Sequence, residues 1–410
     1  MKTYQWQGLK ISKIKNWKKI EKTLDEQRVK ASAWDMAPLM THKCQYYVII
    51  GERSNGKTYS PLLRALVKYF EYGEEIAIVR RYDEDFRGKR AQTLFKNHIE
   101  NNVISMLSDG KWDSVVYYQS QWWFTKTTYH ENKETGQQIR ETIRSEKPFA
   151  YAFSLGAWEH DKSSAYPLVT TILFDEFLTR GYYLPDEFII WLNVVSTIKR
   201  KRTNMEIFMC GNTINKSSPY FNEMGLNKVK NQQKGTIDIY SYGDTNLHVA
   251  VAFSDAPVRV KESDEYFAFD NPRLNMITGK SDAWEIGVYP HLPMKYKPKN
   301  IIYQYFIKYE GEILHCEIIH VYDEEHKCNV MFTYIHRKTT EIKDENKYLV
   351  YQTEFDTRWN YRRRITKPTN DTEKKILSFY TREKVFYQDN SVGEIVNNYI
   401  KWSQTASPLN

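Results

Sequence analysis

Residues 46–58 read Tyr-Tyr-Val-Ile-Ile-Gly-Glu-Arg-Ser-Asn-Gly-Lys-Thr. The apolar run Tyr46–Ile50 predicts a buried β-strand, because a short run of β-branched and aromatic residues before a turn signal is typical of one. The pattern that follows is G-x-x-x-x-G-K-T, and residues 59–72 after it are compatible with a helix. A strand, a glycine-bearing loop and a helix in this order predict a phosphate-binding loop. The alternative is a fortuitous Gly-Lys turn.

The loop residues carry the chemistry of a nucleoside-triphosphate site. Gly51 and Gly56 allow backbone N–H groups to turn toward phosphate oxygens, Lys57 reaches the β- and γ-phosphates, and the Thr58 hydroxyl ligates Mg²⁺. Arg53 adds a bidentate cation beside the triphosphate. These residues therefore predict binding of a nucleotide with Mg²⁺.

A second pattern places adjacent carboxylates after a buried strand, in Thr170-Thr-Ile-Leu-Phe-Asp-Glu176. Unpaired carboxylates cost too much inside a core, so we expect them at the carboxyl end of the strand. There Asp175 can hold Mg²⁺ through water, and Glu176 can polarise the water that attacks the γ-phosphate. The alternative is a solvated Asp-Glu pair at an ordinary strand end.

The spacing of the two patterns favours an ATPase. More than 110 residues separate them, including the run Ile76–Arg80, which leaves room for an additional strand between the two motif strands. An additional strand and a Glu beside the Mg²⁺-binding Asp are typical of catalytic-glutamate ATPases. The guanine-reading N-K-x-D pattern is missing, since Asn215-Lys-Ser-Ser218 lacks the final carboxylate. ATP is therefore favoured over GTP.

Two further features follow the acidic pair. The apolar stretch Glu206–Asn212 ends in a polar side chain, so Asn212 is a candidate sensor of the γ-phosphate, with a helix or turn cap as the alternative. Just upstream lies Lys199-Arg-Lys-Arg202. Such a basic run is usually a solvated surface, but in a ring ATPase it can supply an arginine finger to the neighbouring subunit.

Composition allows a large protein with a polyanionic partner. The 410 residues are enough for two or three domains, and 59 basic against 51 acidic residues give a formal charge of +8. No apolar run is long enough to suggest a membrane span, and the N-terminus lacks the apolar core of a secretion signal. Four scattered cysteines suggest neither a zinc site nor a disulfide framework, so we expect a reduced cytoplasm.

Strand-like runs alternate with longer segments up to about residue 255, which predicts a mostly parallel α/β sheet. These runs are Tyr46–Ile50, Ile76–Arg80, Val169–Phe174, Glu206–Cys210 and His248–Phe253. The stretches Val115–Phe124 and Ile139–Phe153 flank the polar segment Lys126–Gln138 and predict an inserted hairpin.

The remaining parts of the chain predict the domain organisation. Ile14, Trp17, Ile20 and Leu24 predict an amphipathic N-terminal helix, and prolines between 256 and 296 suggest a linker or lid. From Ile301 onward, further strand-like runs precede a helix at Val392–Trp402. We therefore predict a P-loop ATPase domain at 1–255, a linker or lid at 256–296 and a smaller α/β domain at 297–410.

The combined motifs resemble those of the DNA-packaging motor ATPases of phi29-type short-tailed phages. The strings that carry the resemblance are Gly51-x-Arg53-x-x-Gly-Lys-Thr58, Val79-Arg-Arg-Tyr82, Lys162-Ser-Ser-Ala-Tyr-Pro167, Asp175-Glu-Phe177, Asn212 and Pro219-Tyr-Phe221. The similarity covers residues 46–222 and beyond them rests on domain order. It implies a RecA-like, terminase-like ATPase domain and a homopentameric ring that pumps double-stranded DNA into a preformed procapsid at the portal.

The resemblance also assigns roles to single residues. Arg200 matches a trans-acting arginine finger, with Arg202 as the alternative, and Lys162 matches a basic residue that faces a subunit interface. Where the family places a DNA-facing basic residue, this chain has Asp83. The DNA contact then falls to Arg87, Lys89 and Arg90, with an ordinary surface loop as the alternative.

The second domain of such motors resembles an RNase H-type nuclease, which needs clustered carboxylates for two metals. The first candidate strand, Ile301–Tyr309, has no acidic residue, and Asp356 is a lone candidate, so a nuclease-inactive domain is expected. The resemblance implies that it contacts a structural phage RNA or the portal. Arg362–Arg364 and Lys367 are candidates for phosphate contacts, with a solvated basic loop as the alternative.

The sequence thus predicts a viral motor in the host cytoplasm that docks transiently on the procapsid, uses ATP and Mg²⁺ and has no membrane contact. One rival is a helicase or recombination ATPase, against which residues 297–410 offer no helicase-like arginine motif. The other rival is a nucleotide-gated binding or scaffold protein without significant turnover.

Overall fold

The computed structural model of the chain describes residues 2–52, 55–131, 138–157, 165–179, 183–212, 218–255, 289–292, 294–324 and 327–406. The helices are α1 Trp17–Lys30, α2 Ala37–Met40, α3 Tyr59–Tyr72, α4 Lys89–Gln92, α5 Lys96–Glu100, α6 Val103–Leu107, α7 Glu187–Lys199, α8 Pro219–Glu223, α9 Asp371–Thr381 and α10 Asn390–Thr405. The strands up to residue 255 are β1 Tyr4–Trp6, β2 Leu9–Ile11, β3 Tyr46–Gly51, β4 Glu75–Arg80, β5 Ser114–Tyr118, β6 Gln121–Glu131, β7 Gln138–Arg144, β8 Ala150–Ser154, β9 Val169–Asp175, β10 Glu206–Asn212, β11 Ile237–Ser241 and β12 His248–Phe253. The later strands are β13 Ile301–Tyr309, β14 Glu312–Asp323, β15 Cys328–Arg337, β16 Leu349–Gln352, β17 Tyr361–Arg362 and β18 Val385–Tyr387.

Contacts divide the chain into two units. The first consists of Met1–Thr179, Glu187–Lys216 and Gly225–Trp284, and the second of Arg180–Asp186, Ser217–Met224 and Glu285–Asn410. Two short segments from the middle of the chain therefore group with the second unit. The functional division at residues 255 and 296 stays a prediction.

The large sheet of the first unit is mixed, and its centre is parallel. Its strand order is β11-β12-β3-β10-β9-β4-β8-β6-β5, and β7 pairs with β6. Every pairing from β12 to β8 along this order is parallel. The residues of β9 are all buried, as are those of β3 after Tyr46. Continuous apolar runs form such strands because parallel sheets are covered on both faces. The predicted α/β class is confirmed.

An additional strand does separate the two motif strands, but it is not the predicted one. β10 lies between β3 and β9, pairing Asn212 with Gly51 and Cys210 with Asp175. The run Ile76–Arg80 forms most of β4, which lies on the far side of β9. The strand that separates the two motif strands in the sheet therefore follows the second motif in the chain, rather than lying between the two motifs.

The inserted hairpin contains more strands than the sequence predicts. β6 and β7 form an antiparallel hairpin, so Lys126–Glu131 is strand rather than turn. The predicted stretch Val115–Phe124 bends at Gln119 and Ser120, which both have positive φ values (49° and 57°). Glycine usually marks such left-handed turns, and its absence concealed this one.

Helices cover the large sheet and complete its core. Trp17, Ile20 and Leu24 on α1 are buried in the cluster that includes residues of β3, which confirms the predicted amphipathic helix, and Ile14 is buried there just before the helix begins. Helix α3 follows the phosphate loop directly and ends at Gly73, whose φ of 76° provides a left-handed C-cap. Among the described residues, no helix has the length and hydropathy that a membrane span requires.

The second unit is built on a smaller sheet of order β17-β16-β13-β14-β15-β18. β13, β14 and β15 form an antiparallel meander, and β16 and β17 add in parallel beside β13. These pairings form the sheet of the smaller α/β domain that the sequence predicts. Helices α9 and α10 pack on one face through residues such as Ile376 and Tyr399.

Candidate nucleotide-binding site

A cavity of about 1060 Å³ opens at the carboxyl edge of the large sheet. The phosphate loop, the acidic pair after β9 and the end of β10 all line it, together with the last turn of α1 and residues of α5. The edge collects these residues because the carboxyl ends of parallel strands meet there. The sequence motifs thus converge on one cavity.

The backbone of the loop requires its two glycines. A Cβ atom on Gly51 would lie 2.6 Å from Asn55 Nδ2 and 2.9 Å from Ser254 Cβ, and Gly56 has a φ of 86°. Asn55 fixes the loop further, since its side chain donates to Ser254 Oγ (3.0 Å) and its carbonyl accepts from the Trp34 N–H (2.9 Å). Arg53 lies outside the described residues.

Lys57 points its ammonium group along the loop. Its Nζ donates to Asn212 Oδ1 (2.9 Å), Asn55 Oδ1 (3.1 Å) and the Glu52 carbonyl. The side chain is buried, so these oxygens replace the water that a buried cation would lose. The contact with Asn212 ties the phosphate loop to the end of β10.

Thr58 and Asp175 form a pair of oxygen ligands beside the loop. The Thr58 hydroxyl donates to Asp175 Oδ1 (2.8 Å), and Arg80 Nη2 donates to Asp175 Oδ2 (2.6 Å). A hydroxyl and a carboxylate are hard oxygen donors of the kind that Mg²⁺ prefers. The residues present therefore fit a Mg²⁺ ion, and Arg80 balances the charge of the carboxylate that faces it.

Glu176 follows Asp175 and is exposed where it lines the cavity. Its φ is 59°, a left-handed conformation that costs a non-glycine residue about 1–2 kcal/mol. The next residue, Phe177, still contacts β10, since its N–H donates to the Cys210 carbonyl (3.2 Å). The adjacent carboxylates therefore have different environments, one buried and bonded, the other open to the cavity.

Cys210 also lines the cavity, but it is a poor nucleophile. Complete burial raises the pKa of its thiol well above the ordinary value, and Asp175 adds to this shift. Its Sγ lies 3.4 Å from the Lys57 carbonyl. A protonated thiol in this position packs against the loop.

The two candidate arginine fingers, Arg200 and Arg202, have different exposure. Arg200 is exposed directly after α7 and has a φ of 49°. The Arg202 guanidinium instead donates to the carbonyl of Pro167 (2.8 Å) and to those of Val169 and Ile198. Arg202 thus fastens α7 to the start of β9. Lys162 lies outside the described residues.

The candidate DNA contacts lie beyond β4. Arg87, Lys89 and Arg90 are all exposed, and two of them approach carboxylates, with Arg87 3.4 Å from Glu84. Asp83 accepts a hydrogen bond from Ser154 Oγ. The acidic side chain at the position of the family's basic residue is therefore bonded within the chain.

The chain is similar in sequence to known DNA packaging proteins. Residues 114–259 match the family of Podovirus DNA encapsidation proteins (Gp16). The chain is 29% identical over 181 residues to the DNA packaging protein of Bacillus phage B103, covering 43% of this chain and 47% of the relative. It is 28% identical over 176 residues to that of Bacillus phage phi29, covering 42% and 44%. The matches span less than half the length of these relatives. The predicted resemblance to phi29-type packaging proteins is confirmed.

Solved packaging structures are also similar to this chain. The bacteriophage Phi-29 viral genome packaging motor assembly has a TM-score of 0.49 at 18% identity, covering 89% of this chain and 96% of that chain. The Phi-28 gp11 DNA packaging motor has a TM-score of 0.46 at 17% identity, covering 93% and 100%. The fold assignment rests on the strand order of the chain itself.

The Podovirus Gp16 match includes the acidic pair and Arg200 but not the phosphate loop.

Some residues at the site had no role in the sequence prediction. Arg81 makes a bidentate ion pair with Glu187 (2.8 and 2.9 Å), and its Nη2 donates to the Phe177 carbonyl (2.7 Å). This buried pair anchors the turn after Glu176 to α7. The sequence signal that could have indicated a role for Arg81 is the Arg-Arg string at the end of an apolar run.

His98 is a buried titratable group that contacts the first residue of α3. Its ring stacks on Tyr59 at 4.1 Å between centroids, and its Nε2 lies 3.1 Å from the Tyr59 carbonyl. Burial lowers the pKa of His98 from 6.5 to about 4. The unfolded chain therefore binds more protons between these values, so stability falls as the pH drops.

Because His98 is neutral in the folded state, we expect the free energy of unfolding to fall by about 3 kcal/mol between pH 7 and pH 4. Urea unfolding of the full chain at several pH values measures this loss, and His98→Gln should flatten the pH dependence. His42→Gln, at an exposed histidine, is the control and should retain the slope. Parallel pH profiles for the chain and His98→Gln would exclude this assignment.

Proposed function

We propose that the chain is an ATP-hydrolysing motor that translocates viral double-stranded DNA into a preformed procapsid at the portal. The observation that carries the proposal is the hydrogen bond between Thr58 and Asp175, which joins the phosphate loop to the acidic pair inside one cavity. The match to DNA encapsidation proteins supports DNA as the polymer that is moved.

In the proposed mechanism, the N–H groups of Gly51–Thr58 and the Lys57 ammonium bind the phosphates of ATP. Thr58 and Asp175 would hold Mg²⁺, which supplies neutralisation of charge on the β- and γ-phosphates. Arg53 is the additional cation in the loop. Asn212 is the proposed γ-phosphate sensor. Its Oδ1 accepts a hydrogen bond from Lys57 Nζ, so a change in the contact between Lys57 and the γ-phosphate would alter this hydrogen bond at the end of β10.

Glu176 is the proposed general base for the attacking water. A base needs an accessible carboxylate beside the phosphates, and Glu176 lines the cavity, whereas both oxygens of Asp175 are already bonded. The Arg81–Glu187 pair is proposed to hold the turn that carries this carboxylate. Arg81 and Glu187 are positioning residues on this interpretation.

Arg200 is the proposed arginine finger, acting on the site of the neighbouring subunit in a homopentameric ring. Its exposed position after α7 suits a contact outside its own chain, and Arg202 is engaged by backbone carbonyls. Lys162 is proposed to face the same subunit interface. An arginine finger contributes roughly 10³–10⁵ in rate to comparable hydrolases.

Duplex DNA is proposed to contact Arg87, Lys89 and Arg90, which extend from the end of β4. Arg80 at that end bonds Asp175 directly, so this element connects the nucleotide site to the proposed DNA contact. Phosphate contacts by exposed basic residues do not depend on sequence, which suits a protein that moves a whole genome.

The second unit is proposed to lack nuclease activity and to contact the portal or a structural phage RNA. β13 has no acidic residue, and the lone candidate Asp356 binds Arg358 at 2.6 Å. Arg362 is paired with Glu373 (2.6 Å), and Arg363 donates to the Thr353 carbonyl. Lys367 is exposed and remains the best candidate for a phosphate contact. In the host cytoplasm, the ring is proposed to dock on the procapsid only while it packages.

A packaging reaction tests the proposal. Purified chain, procapsids and duplex DNA should give ATP-dependent protection of DNA from added nuclease, and duplex DNA should increase phosphate release. Strand displacement on forked DNA would favour the helicase alternative. Tight ATP binding with negligible turnover in all conditions would favour the scaffold alternative.

A further inference from the structure

Three side chains of kinds that can bind a metal ion meet in the second unit. His315 and Glu317 lie on β14, and His336 lies on β15. One ligand atom from each lies within 4.8 Å of the others. Among the described residues, no other group of three histidine, cysteine or acidic side chains has such spacing.

The strand register explains why they converge. Residues two apart on a strand share a face, so His315 and Glu317 point to the same side of the sheet. His315 is paired directly with His336 across the antiparallel ladder. The opposite face carries Leu314, Cys316 and Ile318, which are buried in the helix-covered core. His315, Glu317 and His336 therefore lie on the face of the sheet opposite the helix-covered core.

The distances are close to those of a bound metal ion. His315 Nδ1 lies 3.9 Å from Glu317 Oε1, and His336 Nε2 lies 3.7 Å from Glu317 Oε2. Both distances exceed a hydrogen bond. Ligands at the usual 2.0–2.1 Å from a tetrahedral zinc ion are about 3.4 Å apart. Small rotations of these side chains would therefore complete the site.

Outer contacts hold the ligands in place. Tyr296 Oη donates to Glu317 Oε2 (2.5 Å), and His336 Nδ1 lies 3.2 Å from the Arg337 carbonyl. A proton on His336 Nδ1 can be donated to this carbonyl, which leaves the Nε2 lone pair directed toward Glu317. Fixing the tautomer of a histidine ligand in this way is the usual role of an outer hydrogen-bond partner. Phe306 stacks on the His315 ring at 4.7 Å between centroids.

One ring nitrogen of His315 has no partner among the described residues, and the group is open to solvent. Its Nε2 is buried and has no hydrogen-bond partner in the described part of the chain. The histidine side chains are 17% and 28% exposed, and Glu317 is 9% exposed, so an ion can reach the group from solvent. A buried imidazole nitrogen without a hydrogen-bond partner is costly.

We propose that His315, Glu317 and His336 bind a divalent transition-metal ion, with Zn²⁺ as the preferred occupant. Two imidazoles and one carboxylate suit zinc, and three protein ligands leave a fourth position open. Mg²⁺ is disfavoured because it requires oxygen ligands in near-octahedral geometry. The ion would join β14 to β15 and, through Tyr296, hold the segment before β13 against the same face. None of the three residues lines the nucleotide cavity.

Cobalt and zinc titrations of the full chain test the site. Metal-free protein in saturating Mg²⁺ should bind one equivalent of Co²⁺ with the intense visible absorption of a tetrahedral site, and Zn²⁺ should displace it. Glu317→Gln and His336→Gln should each weaken Zn²⁺ binding by at least about 100-fold, since loss of an outer partner alone costs 10–100-fold. Tyr296→Phe should weaken it by about tenfold.

His320→Gln is the matched control, because His320 lies on β14 but is exposed and outside the group. This variant should bind Zn²⁺ as the unmodified chain does. Equal Zn²⁺ affinity in the unmodified chain and Glu317→Gln would overturn the proposal. If the ligand variants do not fold, the unmodified chain decides, because absence of the tetrahedral Co²⁺ spectrum would leave only an imidazolium–carboxylate pair.

Discussion

Replacing Lys57 by alanine is expected to lower the kcat of ATP hydrolysis by about 10³-fold, since one preorganised cation at the transferring phosphate is worth about that much. The ammonium group is buried and already directed by Asn55 and Asn212, so little reorganisation is needed when the phosphates bind. Phosphate release in the presence of duplex DNA measures the effect. DNA packaging should be lost in parallel.

The control for Lys57→Ala is Lys96→Ala, which removes an exposed ammonium from α5. It should retain both activities. Thermal melts should show Lys57→Ala folded, because Asn212 and Asn55 can bind water in the open cavity. Hydrolysis at an unchanged rate in Lys57→Ala would exclude the loop as the catalytic site.

Lys57→Ala also tests whether Arg200 acts on a neighbour. A ring that mixes Lys57→Ala with Arg200→Ala contains some interfaces with an intact loop facing an intact arginine. Mixtures should therefore regain hydrolysis that neither variant has alone. The comparison is Arg202→Ala, which removes bonds to the Pro167 and Val169 carbonyls and should lower stability instead. Failure of every mixture to regain activity would contradict action in trans.

The sequence predicted the strands of the site well because each is a short apolar run that ends in a polar pattern. β3, β9 and β10 all begin where these runs begin, and their carboxyl ends meet at one edge. Their order could not be predicted, because pairing between distant strands depends on how the whole sheet is covered. β10, the last of them in the chain, lies between the other two.

Contacts that join distant parts of the chain were also beyond prediction. Arg80 and Asp175 are far apart in sequence and meet because β4 and β9 are neighbours in the sheet. Likewise, no short motif links His336 to Glu317, which lie on different strands. Such pairs have no local pattern, since their geometry is set by register rather than by spacing along the chain.

Glu176→Gln is expected to lower kcat by about 10²–10⁴-fold, the usual contribution of a general base, while ATP affinity changes little. Glutamine keeps the shape of the side chain but cannot accept the proton of the attacking water. Because Glu176 is exposed and bonds neither the loop nor Asp175 in the described hydrogen bonds, its replacement leaves the Thr58–Asp175 contact intact.

Single-turnover hydrolysis and nucleotide binding separate the roles that Glu176 can have. Glu100→Gln is the matched control, since Glu100 also lines the cavity but lies on α5, and it should hydrolyse ATP at the normal rate. A slow chemical step with normal binding is the result expected of a base. Loss of binding together with turnover would indicate that Glu176 supports the fold of the turn after β9. Normal turnover in Glu176→Gln would require another base, and Asp175 could serve only by releasing Thr58 or Arg80.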